Sequence, residues 1–149
     1  MPKARVKKMI NIINENDKFK QINTAKWEKI ASEILKKLNI NNKNLDIIFT
    51  DEDFILDLNR KYLNHDYITD VIAFENTIDE PDFLGEIYIC LEQAQRQAPE
   101  FNNSFEEELL TLIIHGILHL VGYNDIEPDD KKIMFDKQNK IFQEIKHEL

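Results

Sequence analysis

At 149 residues, with 42% hydrophobic and 32% charged side chains, the chain has the make-up of one globular domain. No apolar run approaches the ~18 residues of a membrane span, and the single cysteine, Cys90, excludes an intrachain disulfide and fits a reducing compartment. A net charge of −9 speaks against a nucleic-acid partner, yet eleven of the 19 Lys and Arg fall in residues 1–45 beside only four Asp and Glu. That split is compatible with a basic face on an acidic body, since phosphate affinity follows local potential. The simpler reading makes Lys18, Lys20, Lys26, Lys29, Lys36 and Lys37 solvated residues of strand ends and helices.

In chain order, residues 1–8 (Met-Pro-Lys-Ala-Arg-Val-Lys-Lys) form a basic stretch of a single domain spanning 1–149, either a flexible arm suited to touching nucleic acid or extra sequence upstream of a start at Met9. Met9-Ile-Asn-Ile-Ile is too short and polar for a signal h-region, so a cytoplasmic protein is expected. Met9–Asn14 alternates like a short strand. Thr24 is placed to cap a helix whose stripe is Trp27, Ile30, Ile34, Leu35 and Leu38. Leu45–Phe49 reads as a second strand, and Thr50 or Asp51 starts a helix with Phe54, Ile55, Leu58 and Tyr62 turned inward. Thr69–Phe74 and Phe83–Cys90 are strands joined by a short polar link, hence an antiparallel pair. Glu92–Ala98 reads as helix, stopped by Pro99. Ser104-Phe105-Glu106-Glu107 has the form of a capping box opening the next helix. The last helix, Asp129–His147, has Ile133, Met134, Ile141, Phe142 and Ile145 apolar. The order β-α-β-α-β-β-α-α-α predicts an α/β (α+β) fold, a small mixed four-stranded sheet packed with helices around a central apolar one.

That central helix carries the most informative segment. Residues 109–121 read Leu-Leu-Thr-Leu-Ile-Ile-His-Gly-Ile-Leu-His-Leu-Val, apolar around most of the circumference, as expected for a helix buried on all sides. A polar ring buried there without a partner costs roughly 1–3 kcal/mol. His115 and His119 lie one turn apart on one face, with Cβ atoms about 5–6 Å from each other. A divalent metal satisfies both. Gly122 is where such a helix is expected to stop, in the left-handed conformation that glycine enters without steric cost. The chain can then reverse and return the Asp125 carboxylate toward the imidazoles. Three protein ligands leave a coordination position open, the arrangement of a catalytic zinc. Gly116 stands where H-E-x-x-H proteases place their general base, which argues against peptide hydrolysis.

A second concentration of polar groups spans residues 58–74. Asn59, Asp66, Thr69 and Asp70 suit turn and capping bonds that stitch a tight connection. His65 offers an acid, a base or a phosphate contact near neutral pH, or is an ordinary surface histidine.

These blocks resemble the YbeY-type metal-dependent endoribonucleases, bacterial ribosomal RNA maturation factors. The family run H-G-x-L-H-L-x-G-Y-D-H is matched from His115 to Asp125. The pattern L-N-x-x-Y-R-x-x-D-x-x-T-D-V-L-S-F is matched at Leu58, Asn59, Tyr62, Asp66, Thr69, Asp70, Val71 and Phe74, and L-G-D-I-x-I at Leu84–Ile89. The resemblance implies one zinc-like metal (manganese or nickel as alternatives) on His115, His119 and Asp125. It also implies single-strand-specific cleavage in 3′-end maturation of small-subunit ribosomal RNA and ribosome quality control. Ribosomal RNA and the small subunit are then the partners, with no membrane involved. Two departures from the pattern matter. Asp125 replaces a third histidine, adding charge that favours harder metals such as manganese. Leu63 replaces an arginine associated with RNA contact, leaving Arg60, Lys61 or His65 to compensate. His65 is the candidate catalytic group, and Arg60 and Lys61 the candidate substrate contacts. The alternative is a ribosome-assembly binding protein whose metal is structural.

Overall fold

The computed structural model describes residues 9–77 and 79–149; the basic stretch 1–8 lies outside them. Four strands form one mixed sheet: β1 (Ile10–Asn14), β2 (Asn44–Thr50), β3 (Val71–Glu75) and β4 (Phe83–Cys90), in the order β1-β2-β4-β3. β1, β2 and β4 run parallel, and β3 pairs antiparallel with β4, Val71 opposite Ile89 and Glu75 opposite Gly85. The mixed four-stranded sheet and the element order match the reading of the sequence.

Alternation along these strands sends Ile10, Ile12, Leu45, Ile47, Phe49, Ile87 and Ile89 to one face. There they meet the stripes of α1 (Thr24–Lys37) and α4 (Phe105–Leu120), with Trp27, Ile30, Ile34, Leu109, Leu110, Ile113 and Ile117 all within 2% of full burial. At roughly 1.5–3 kcal/mol per large aliphatic side chain, this face dominates the folding free energy. The far face carries a smaller cluster, Ile55, Ile72 and Cys90, under α2 (Glu52–Leu58). Burial pushes the Cys90 thiol up to about 11, so it is neutral at ordinary pH and no nucleophile. α3 (Leu91–Gln97) and α5 (Pro128–Ile145) complete the shell, α5 burying Met134, Ile141 and Ile145. Among the described residues, no helix is long and apolar enough to cross a membrane.

Local chemistry shifts several element edges. Asn23, not Thr24, caps α1: its side chain accepts from Lys26 N, and Thr24 is the first helical residue. Asp51 caps α2 by accepting from Phe54 N. The α-helix then ends at Leu58 and passes into a π turn, Asn59–Leu63, closed by Asn64 in the left-handed region at φ 56°. The extra residue in that turn rotates the side chains beyond it about the helix axis. Phe54 and Tyr62, expected to face inward, are 47% and 66% exposed. They are the ends of an aromatic chain, Phe54 stacked on Tyr88 at 5.9 Å and Tyr62 edge-on to Phe74 at 5.7 Å.

Candidate metal centre

α4 opens on the expected capping box. Ser104 Oγ accepts from Glu107 N at 3.1 Å, while Glu107 Oε1 accepts from Ser104 N at 2.9 Å. The helix is buried on most sides but not all: the edge with His115 and His119 reaches solvent, their side chains being 27% and 32% exposed. Gly116, between them, faces the sheet. A Cβ there would lie 2.8 Å from Ile87 Cγ2, so the residue lets α4 settle directly onto β4. A larger group at this position would point into the core, away from the imidazole edge.

The helix ends in a Schellman motif. Tyr123 N donates to Leu118 O at 3.0 Å and Gly122 N to His119 O at 3.1 Å, with Gly122 at φ 102°. Asn124 then accepts from Ile126 N at 2.7 Å, a turn that aims the intervening Asp125 back at the helix. Asp125 Oδ2 lies 3.4 Å from His119 Nε2 and 3.7 Å from His115 Nε2, and the two Nε2 atoms are 3.1 Å apart.

This geometry tests whether a cation fits. Zinc–nitrogen and zinc–oxygen bonds of about 2.0–2.2 Å in a tetrahedron place neighbouring donors roughly 3.3–3.5 Å from one another. The three observed separations bracket that edge, and a triangle with those sides has a circumradius of about 2.0 Å. Two ring nitrogens and a carboxylate oxygen converge on one point, where two neutral imidazoles share at most one hydrogen bond. The set therefore suits a divalent cation.

A fourth residue supports the first. His115 Nδ1 lies 2.9 Å from Gln138 Oε1, on α5. An amide oxygen only accepts, so Nδ1 carries the proton and Nε2 turns its lone pair to the centre. Nothing in the sequence marks Gln138 beyond its place in an amphipathic helix. Replacing it by Leu removes the acceptor, and zinc affinity is expected to fall about 10–100-fold, with Gln138→Glu retaining it; isothermal titration measures both.

Beside the triad runs a cleft of about 360 Å³ whose lining includes Leu63, His65, Tyr67, Thr69, Val71, His115 and His119. The structure thus brings His65 into the same cleft as the imidazole pair. Its Nδ1 lies 3.0 Å from the Tyr67 hydroxyl, and the two rings stack at 5.0 Å. The connection bearing them is held from below by buried Asn59, whose Nδ2 donates to Tyr67 O at 2.8 Å and whose carbonyl accepts from His65 N at 3.0 Å. Asp70 Oδ1 accepts from Val71 N at 2.8 Å, so these polar residues stitch the loop as their types suggested. Arg60 and Lys61 are placed differently. Neither lines the cleft: Arg60 pairs with Asp66 at 2.5 Å and Lys61 with Asp57 at 3.4 Å, all on the exposed surface.

Residues 11–146 match the family model described as Endoribonuclease YbeY. Similar proteins of that name include one from Ureaplasma urealyticum, 46% identical over 84% of this chain and 83% of its own length. Another, from Petrotoga mobilis, is 38% identical over 91% of this chain and 94% of the relative. A solution structure from Thermotoga maritima superimposes with a TM-score of 0.66 at 39% identity, covering 92% of this chain and 89% of that one. Fold, motif blocks and sequence agree over nearly the whole length, and the chain belongs to the endoribonuclease YbeY family.

Proposed function

We propose that the chain is a cytoplasmic, metal-dependent endoribonuclease specific for single strands. Its substrate is the 3′ end of small-subunit ribosomal RNA, met on or near the small ribosomal subunit, in maturation and quality control. The observation that carries this reading is the convergence of His115, His119 and Asp125 at the edge of an open cleft, in a chain whose relatives are named Endoribonuclease YbeY. An unpaired strand splays its nucleotides and can follow such a cleft more readily than a duplex.

His115, His119 and Asp125 would hold the cation, zinc by donor type, with the carboxylate widening tolerance toward manganese. Bound there, a divalent ion supplies Lewis-acid stabilisation to the charge that develops on a phosphate under attack. The chain's own groups do the rest. Tyr67 occupies His65 Nδ1, leaving Nε2 as the ring atom that exchanges a proton with substrate or water. Leu63 and Val71 give the cleft apolar wall, which lowers the local dielectric around that exchange.

The purified protein is expected to cut a precursor carrying the small-subunit 3′ end in its single-stranded part and to spare duplex. Failure to cut with zinc, manganese or nickel present overturns the proposal. Chelation tells a catalytic from a structural ion. The large core cluster closes without any of the three donors, so chelator should abolish turnover while far-UV circular dichroism stays native. The melting temperature should drop by only about 6–10 °C, the loss of a ligand present near a hundredfold over its Kd. Unfolding on chelation would instead identify an assembly factor with a structural metal.

A further inference from the structure

The triad is reached from a second side. A hollow of about 470 Å³ runs from His115 along the seam between α4 and α5 toward Phe101, within the range of small-ligand sites. Two of its lining residues, Phe101 and Phe135, are 61% and 59% exposed. Neither ring belongs to the core, and neither is needed to cover it. The floor is rich in hydrogen-bond acceptors. Glu108, only 3% exposed, and Asp70 present carboxylates joined through the Gln97 amide, whose Nε2 donates to them at 2.6 and 2.9 Å, and Asn103 Nδ2 donates to the other Glu108 oxygen at 3.1 Å, so an incoming donor shares oxygens that keep a second lone pair. Among the described residues, no lysine or arginine lines the hollow.

That combination selects its occupant. Beyond its His115 end, where the cation of the proposed site would lie, two carboxylates with no lysine or arginine beside them disfavour a phosphate, so the nucleic-acid backbone stays at that end. A flat, uncharged group with hydrogen-bond donors is accepted, and aromatic faces stack on nucleobases whatever their identity. We propose that the hollow is a nucleobase subsite: an unpaired base next to the scissile phosphate stacks on Phe135, with Phe101 as a second aromatic wall, and turns an exocyclic amino group toward the Asp70–Glu108 floor. Adenine and cytosine offer an exocyclic amino group to that floor, whereas uracil has only its N3–H, flanked by two carbonyl oxygens that the carboxylates repel. The assignment deepens the ribonuclease reading and rests on it for the scissile phosphate, but base binding itself does not require cleavage.

The test uses fluorescein-labelled 2′-O-methyl hexamers of adenosine and uridine, titrated by anisotropy against the zinc-loaded protein at low salt. The adenosine hexamer should bind wild type about tenfold more tightly than the uridine hexamer. Phe135→Leu should remove about tenfold of the adenosine affinity, Phe135→Tyr should keep it, and neither should shift the melting temperature, because the ring is exposed. Cleavage of unmodified RNA is followed alongside. If Phe135→Leu loses adenosine binding while even wild type fails to cut, the subsite stands and the ribonuclease reading falls. If wild type cuts but Phe135→Leu binds the adenosine hexamer unchanged, or the two hexamers bind wild type equally, the subsite is overturned and the ribonuclease reading survives.

Discussion

His119→Ala is expected to abolish zinc binding and to slow RNA cleavage by about a thousandfold or more, roughly 4 kcal/mol of transition-state stabilisation. The reason is geometric. His119 Nε2 sits between the other two donors, 3.1 Å from His115 Nε2 and 3.4 Å from Asp125 Oδ2, and without it the remaining pair is separated by 3.7 Å with no third arm. The fold should hardly notice. The ring is partly exposed and alanine is the better helix former, so the stability of the metal-free protein should change by less than about 1 kcal/mol. Isothermal titration with zinc and a single-turnover cleavage assay read the two halves of the prediction. A variant that still binds zinc at wild-type affinity would show that the imidazole pair does not hold the metal.

Gly85→Ala should produce the largest loss of stability, about 3 kcal/mol or more and roughly 10 °C in melting temperature. Gly85 sits in β4 at φ 146°, a backbone conformation L side chains rarely adopt, and an added Cβ would lie 2.2 Å from Phe74 O. The obstacle is backbone, so no rotamer change relieves it. Either β3 peels from β4 at the Glu75–Gly85 pair or the strand flips to another conformation. The same Cβ would press on Leu120, the last residue of α4, at 3.0 Å from its Cδ2. Chemical denaturation measures the loss. A variant as stable as wild type would mean that the strand accommodates the methyl at little cost.

Much of this architecture is legible in the chain because strong periodicity and strong punctuation coincide. The alternating strands, the mostly apolar run 109–121 behind its Ser104 cap and the glycine at 122 each have one inexpensive solution, and the structure adopts it. His115, His119 and Asp125 are readable together because they lie within a single helix end and its turn. The features that escape a sequence reading depend on partners far apart in the chain. Gln138 meets His115 across 23 residues, on a helix whose polar positions look alike. Tyr62 follows a helical stripe on paper, but a π turn has no compositional signature, and its extra residue displaces everything after Leu58; Phe54, ahead of that turn, instead stacks on Tyr88 at the surface. The same rotation bears on Arg60 and Lys61, whose positive charges look available for substrate in the sequence. Both have carboxylate neighbours on the outer surface: Lys61 meets Asp57 at the ordinary i,i+4 helical spacing, and Arg60 meets Asp66 across the end of the π turn, which periodicity does not reveal. Asn23 beats Thr24 as cap by one position, a choice between two good acceptors that only backbone geometry decides.

The Schellman ending of α4 makes the three donors mechanically unequal. Two ride on a rod wedged against the sheet, where Gly116 leaves Ile87 no slack; the third hangs on a short exposed bend between two rods. For a cation held there, exchange would proceed like a latch, with the carboxylate the arm free to swing out while the imidazoles keep their station. Stiffening that bend would slow release of the ion more than its capture.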